Sequence, residues 1–266
     1  MYPLLEGKKA LIMGIANKRS IAWGIAQSYA AAGAELIFTY QSERLRENVE
    51  ELAATLKSPV AIIGPCDVQD DANLDEVFAK VSEKFGGKLD IMVHCLAFAN
   101  REDLMGNFTD TSRAGYTLAQ DVSSFSLITT ARRARPLMEA AGGGNIITLT
   151  YLGAERVVKN YNVMGVAKAA LEASVKYAAY DLGPLNIRVN AISAGPIKTL
   201  AAAGIRDFGK VLGAVKEATP LRRNTEQAEV GDTAVFLASD MARGITGEVI
   251  HVDSGYHLVG LLVADD

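Results

Sequence analysis

The sequence predicts an α/β fold: one doubly wound domain whose seven parallel strands form a single sheet with helices on both faces. Three observations carry that prediction. Short apolar runs rich in Ile, Val and Leu alternate with longer segments of helical period along all 266 residues. The runs are continuous rather than alternating, as strands buried on both faces must be. No Pro-rich linker, repeat or low-complexity tract divides the chain, and an α/β fold keeps this many residues on one sheet without strain.

The elements follow in order. Strands are expected at 8–14, 35–40, 59–64, 89–95, 144–150, 186–192 and 247–252. An Ala-rich helix runs from the first strand's turn to Gly33. After Ser42, the residues Leu45, Val49, Leu52 and Leu56 recur at helical spacing with Glu and Arg on the outer side. Val77, Val81 and Phe85 mark the next helix, and a long helical segment is expected around 116 to 140. Tyr161 to Leu182 reads as a long helix closed by Gly183, which accepts a left-handed cap, and by Pro184, which cannot continue the ladder. Thr225 to Ala238 reads as the last helix.

Composition narrows the function. The chain holds 27 Lys and Arg against 31 Asp and Glu, a net charge of −4, so there is no general basic field for nucleic acid. No stretch approaches the ~18 apolar residues of a membrane span. Cys66 and Cys95 match no metal-ligand spacing, and no two of the 3 histidines do. Neither a metal site nor a disulfide framework is expected, and a reducing cytoplasm fits. His94 and His251 lie within strands and read as core histidines rather than ligands. Glycine, at 24 residues, is the unexplained part of the composition, and its placement is the first functional clue.

Gly14 ends the first strand and opens the turn Gly14-IANKRSIAWG to Gly24. A glycine there lets backbone approach a pyrophosphate, and the following helix offers unpaired N–H groups and a positive dipole end. The G-x-G-x-x-G spacing is absent, so the turn alone is equally plain turn chemistry. Strand two ends at Tyr40-Gln41, where a Rossmann-type fold meets the adenosine ribose. Gln41 is neutral, and a 2′-phosphate would require a cation, so NADH is favoured over NADPH, with Arg44 one helical turn later arguing the other way. Asp67-Val68 follows strand three; Asp67 either accepts from an adenine amino group or caps the next helix.

These residues, with Ala97-Phe98-Ala99, Tyr151-Leu-Gly, Tyr161-NVMGVAK, Asn190-AISAGPIKTL and His251-VDSG, resemble the short-chain dehydrogenase/reductase superfamily. Within it they are similar to the bacterial NADH-dependent enoyl-acyl carrier protein reductases over nearly the whole chain. The resemblance implies reduction of the trans-2 double bond of an enoyl chain carried by acyl carrier protein, in fatty-acid elongation, by a homotetramer. It implies cofactor contacts from Gly14, Ser20 and Ile21, from Gln41, Asp67 and Val68, and from Leu96, Lys168, Ile197 and Thr199. The helices around 116 to 140 and 161 to 182 would be the packing surfaces between subunits.

Tyr161 and Lys168 lie seven residues apart, two turns or about 10 Å along one helix face. Most of the superfamily places the tyrosine four residues before the lysine, a position that is Met164 here. It places a serine where this chain has Tyr151. A ketone reductase delivers hydride to the carbon bearing the oxygen; conjugate reduction delivers it two carbons away. Moving the phenol from position 164 to 161 answers that displacement. Tyr161 would stabilise the enolate oxygen, and Lys168 would bind the nicotinamide ribose and keep the field positive. Tyr151 either lines the site or packs on the sheet edge.

After strand six, Gly195 and Pro196 shape a turn that leaves the Ile197 N–H and C=O free for a carboxamide, while Thr199 reaches a phosphate. Residues 197–214 read as a lid over an acyl channel lined by Ala99, Met164, Ala201 and Phe208, excluding water from the transfer; an ordinary packed helix is the alternative. Arg206 and Lys210 would face the acidic carrier protein. Asp253-Ser254-Gly255 reads as a turn near the cofactor or a subunit contact. A 3-oxoacyl or other carbonyl reductase and a non-catalytic dinucleotide-sensing scaffold remain the competing readings.

Overall fold

The computed structural model describes residues 3 to 199 and 208 to 260. Seven parallel strands form one sheet in the order β3-β2-β1-β4-β5-β6-β7. They are β1 Lys9–Met13, β2 Glu35–Thr39, β3 Val60–Ile63, β4 Ile91–His94, β5 Gly144–Thr150, β6 Ile187–Ala194 and β7 Val249–Val252. Each falls on an expected run. β6 runs two residues past its expected end because Ser193 and Ala194 pair with His251 and Val252 of β7.

Alternate residues of the central strands feed two cores. Ala10, Ile12, Leu36 and Phe38 pack on one face with Trp23, Ile25 and Tyr29 of α1 (Ile21–Ala31) and Val230 and Ala234 of α8 (Gln227–Ala238). Leu11, Met13 and Ile37 pack on the other with α3 (Asp71–Phe85), α5 (Ser126–Ala141) and α6 (Asn162–Leu182). Burying the strands on both faces is what makes their sequence read as unbroken apolar runs. The remaining helices are α2 (Arg46–Ala54), α4 (Arg113–Gln120) and α7 (Phe208–Ala218). Among the described residues no helix is long and apolar enough to cross a membrane, and no group of His, Cys, Asp and Glu is placed to hold a metal ion.

Three expectations need correction. The segment around 116 to 140 is two helices, α4 and α5, joined by a π turn at Asp121–Phe125. Gly183 is right-handed (φ −54°); it leads into a 3₁₀ turn with Pro184, and the left-handed residue is Asn186. Pro184 fits the start of that turn, where no N–H is needed. Gly24 is not part of the phosphate turn but lies inside α1, where an added Cβ would stand 2.8 Å from the Cβ of Gln227 on α8. It is the contact residue of two helices.

His94 is a satisfied core histidine. It is buried on β4, with Nδ1 2.9 Å from Thr148 Oγ1 and Nε2 2.8 Å from Ser126 Oγ. Burial, reinforced by the charge of Lys168, pushes its pKa down to about 3. Below pH 6.5 the unfolded chain takes up a proton that the folded chain refuses until about pH 3. Stability from this group is therefore complete above pH 6.5 and declines as pH falls through that window, by about 1.4 kcal/mol per pH unit. Urea unfolding of His94→Gln between pH 6.5 and 4 is expected to show a slope smaller by about one proton; equal slopes would contradict the assignment. His251 is different: it bonds Glu155 Oε1 at 2.9 Å and stacks on His257 at 4.0 Å.

Candidate active site

Parallel strands bring their carboxyl ends to one edge, and the strand order reverses between β1 and β4, where such sheets open a ligand crevice. Gly14 follows β1, Gln41 follows β2, Asp67 and Val68 follow β3, Leu96 follows β4, Tyr151 follows β5 and Ile197 follows β6. Topology thus gathers the predicted cofactor residues along one edge.

The turn after β1 fits a pyrophosphate. Gly14 is left-handed (φ +88°), and an added Cβ would collide with the Cys95 carbonyl and stand 3.1 Å from the Leu96 side chain, so only glycine closes the crevice this tightly. The Ser20 side chain does not cap α1; its hydroxyl donates to the Asn17 carbonyl at 2.7 Å. Trp23 and Gly24 donate back to the Ser20 carbonyl. The N–H groups of Ile21 and Ala22 have no acceptor among the described residues, which leaves them to an anion.

At the far end of β2, Gln41 is exposed. Asp67 does not cap α3. That role falls to Asp70, which accepts from Ala72 and Asn73, while Asp67 accepts from the Gln69 N–H at 3.0 Å. The capping alternative for Asp67 therefore fails.

The loop after β6 departs in part from expectation. The Ile197 carbonyl accepts from the Thr199 N–H at 2.8 Å, because the chain folds back tightly after Pro196. Among the described residues that N–H is the one backbone donor to this carbonyl, which can accept two. Ala201 and Arg206 lie outside the described residues, and Phe208 begins α7. The 197–214 segment thus holds a helix in its second half.

The candidate reacting residues are built on and around α6. Tyr161 is its N-cap residue, and its carbonyl accepts from Met164 at 2.9 Å and Gly165 at 3.3 Å. It is bracketed by Asn160 (φ 65°) and Asn162 (φ 25°). Asparagine tolerates left-handed backbone, so Asn-Tyr-Asn is a sequence signal for the turn that presents the phenol. Gly153 and Gly165 complete it: a Cβ on Gly165 would stand 2.8 Å from the Gly153 carbonyl. Their bareness lets the 3₁₀ turn Leu152–Ala154 lie on α6, so Tyr151 meets Tyr161 edge to face at 5.1 Å. Burial drives both phenol pKa values above their usual 10, so both remain proton donors. The Tyr161 hydroxyl has no hydrogen-bond partner among the described residues.

Lys168 is buried at 5 % exposure and donates to the Leu149 carbonyl at 2.6 Å. Burial lowers its pKa from 10.5 to about 8. Its other two N–H donors have no protein acceptor among the described residues. Met164, at the position of the usual tyrosine, is buried with Leu104, Ala119 and Val163, and Ala99 and Tyr161 pack against that cluster. The apolar wall and the phenol are therefore adjacent.

The chain is similar to known proteins along nearly its whole length. A family model described as Enoyl-(Acyl carrier protein) reductase matches residues 14–257. The Bacillus cereus protein named enoyl-acyl-carrier-protein reductase [NADH] is 61 % identical over 97 % of this chain and 99 % of its own. The crystal structure of a Bacillus cereus enoyl-acyl carrier protein reductase with NADP+ and indole naphthyridinone superposes with a TM-score of 0.94. It covers 98 % of this chain and 100 % of its own at 61 % identity. The Anaplasma phagocytophilum reductase in complex with NAD gives 0.93 at 49 % identity, covering 99 % of each chain. A phenol placed one turn before a buried methionine and two turns before a buried lysine, and a match along nearly the full chain, lead to one assignment. The chain belongs to the enoyl-acyl carrier protein reductase family of the short-chain dehydrogenase/reductase superfamily.

Proposed function

We propose that this enzyme, an NADH-dependent enoyl-acyl carrier protein reductase of fatty-acid biosynthesis, works through Tyr161, Lys168 and Tyr151. The observation that carries the reading is the Tyr161 side chain, packed beside the apolar wall of Met164 and Ala99, with a hydroxyl that has no partner among the described residues. When bound at the crevice, NADH would supply the hydride for the β-carbon of the enoyl thioester. Tyr161 donates to the thioester oxygen and holds the negative charge that gathers there, in a site where a preorganised donor acts with little screening. The α-carbon would then take a proton from solvent water, completing the saturated acyl chain. Lys168 offers two free N–H donors to the nicotinamide ribose, and Tyr151 holds the Tyr161 ring in place from its edge.

Gly14, Ser20 and the open N–H groups of α1 would hold the pyrophosphate, and Leu96, Val68 and Asp67 the adenosine side. Ile197 and Thr199 would meet the nicotinamide end, and Gln41 the adenine ribose. The lid reading of 197–214, with Ala201 and Phe208 completing the acyl channel, belongs to the same proposal. So does docking of the acidic carrier protein at Arg206 and Lys210. A cytoplasmic homotetramer is expected. Phe125 at the end of the π turn, Ile128 on α5, and Tyr177 and Tyr180 on α6 are exposed large side chains on the two surfaces assigned to subunit packing; the two tyrosines are 80 % and 86 % exposed.

One assay tests the reading: NADH oxidation with crotonyl and longer enoyl thioesters, beside 3-oxoacyl thioesters. Turnover of the enoyl substrates alone is expected. Turnover of only the oxo substrates would make the chain a carbonyl reductase, and no turnover of either would favour a dinucleotide-binding scaffold. Repeating the assay with NADPH tests the neutral Gln41, with slower turnover expected.

A further inference from the structure

Ser123 sits in the π turn between α4 and α5, with none of its surface exposed. A π turn widens a helix by one residue and re-aims what it carries, and such turns gather at functional sites. Here it aims Ser123 across the molecule at the loop that leaves β4. The Ser123 hydroxyl accepts from the Phe98 N–H at 3.0 Å and lies 3.1 Å from the Phe98 carbonyl, to which it donates. The Met164 sulfur, at 3.6 Å, is a weaker acceptor for the same O–H. One buried side chain thus grips both polar groups of a single residue and touches the catalytic helix as well.

Among the described residues no other hydrogen bond reaches the backbone of Leu96–Ala99. Ala97 is exposed, and Phe98 is 46 % exposed. Yet the loop carries Leu96, whose side chain approaches Gly14, and Ala99, which packs against the cluster of Met164 beside Tyr161. Its position sets the gap between the crevice and the phenol.

We propose that Ser123 is a positioning residue for enoyl reduction: it holds the Leu96–Ala99 wall at the separation from Tyr161 and Met164 that the reacting chain requires. The proposal rests on the enoyl reductase reading. A misplaced wall costs rate rather than binding, because the reacting atoms must meet within a few tenths of an ångström while most substrate contacts lie elsewhere.

The experiment uses Ser123→Ala and Ser123→Cys in the full chain. It reads crotonyl-thioester kinetics, NADH affinity by fluorescence, thermal stability and hydrogen exchange at the Phe98 amide. In Ser123→Ala, Phe98 exchange is expected to quicken at least about tenfold and kcat to fall about tenfold to a hundredfold. KM and NADH affinity should stay within about twofold, an expectation on the same reasoning. Ser123→Cys, which keeps a weak donor in a similar volume, should fall between and carries the same test if the alanine variant does not fold. Unchanged kcat with faster exchange, or unchanged exchange, would overturn the proposal. So would a loss of activity that only tracks the loss of folded protein. A wild-type enzyme without enoyl turnover would instead overturn the functional reading, and the catalytic claim for Ser123 with it.

Discussion

Tyr161→Phe is expected to lower kcat on crotonyl thioester by about 10²- to 10³-fold, or about 2.7–4 kcal/mol of transition-state stabilisation, the usual cost of removing one donor to a developing oxyanion. The variant isolates one atom. Its ring keeps the edge-to-face contact with Tyr151 at 5.1 Å, and losing the hydroxyl orphans nothing, since that group has no partner among the described residues. Thermal stability should therefore hold, as should NADH affinity, because Lys168 makes its own bond to the Leu149 carbonyl. The substrate KM should change little, the interaction strengthening only as charge reaches the oxygen. A kcat within about fivefold of wild type, well short of that range, would remove Tyr161 from the chemistry. A matching rise in NADH Kd would show that the phenol serves cofactor binding instead.

That prediction was legible in the sequence because its geometry is local. Tyr161, Met164 and Lys168 share one helix, so spacing alone places the phenol, the buried methionine and the ammonium in order. The strands were legible for a related reason: residues buried on two faces leave an apolar run that needs no partner to be recognised. What sequence reading misses depends on contacts across the chain. Gly24 looks like a phosphate-turn glycine until α8 packs against it. Gly183 looks like a helix cap, yet the left-handed residue is Asn186, after a 3₁₀ turn that follows the helix. Ser123 carries no motif, because its role arises from a π turn and from Phe98, 25 residues away. The glycines of Tyr151-Leu-Gly and Tyr-NVMG were visible as motif letters. Their purpose, allowing the Gly153 and Gly165 backbones to meet, needed the fold.

Lys168→Met is expected to weaken NADH binding about tenfold to a hundredfold, the loss of about one charge-assisted hydrogen bond at about 1.5–3 kcal/mol. Methionine keeps much of the buried stem volume, so the variant tests the ammonium rather than a cavity. Lys168→Ala should weaken binding at least as much and lose stability besides. The wild type supplies its own control through pH. Burial lowers the Lys168 pKa to about 8, so the ammonium is present below that pH and lost above it. NADH affinity is accordingly expected to decline as pH rises through 8, and Lys168→Met to show no such decline. The same shift must appear in stability with the opposite sense. Between pH 8 and 10.5 the unfolded chain holds a proton that the folded one has released, so stability conferred through this group rises with pH across that window. Lys168→Met abolishes that rise. Intact NADH affinity in the variant would show that the ribose is held elsewhere. A stability profile unchanged from wild type would show that Lys168 is not the buried titrating group. The two readouts are expected to move in opposite directions with pH, because the charge proposed to bind the cofactor is the charge that burial opposes.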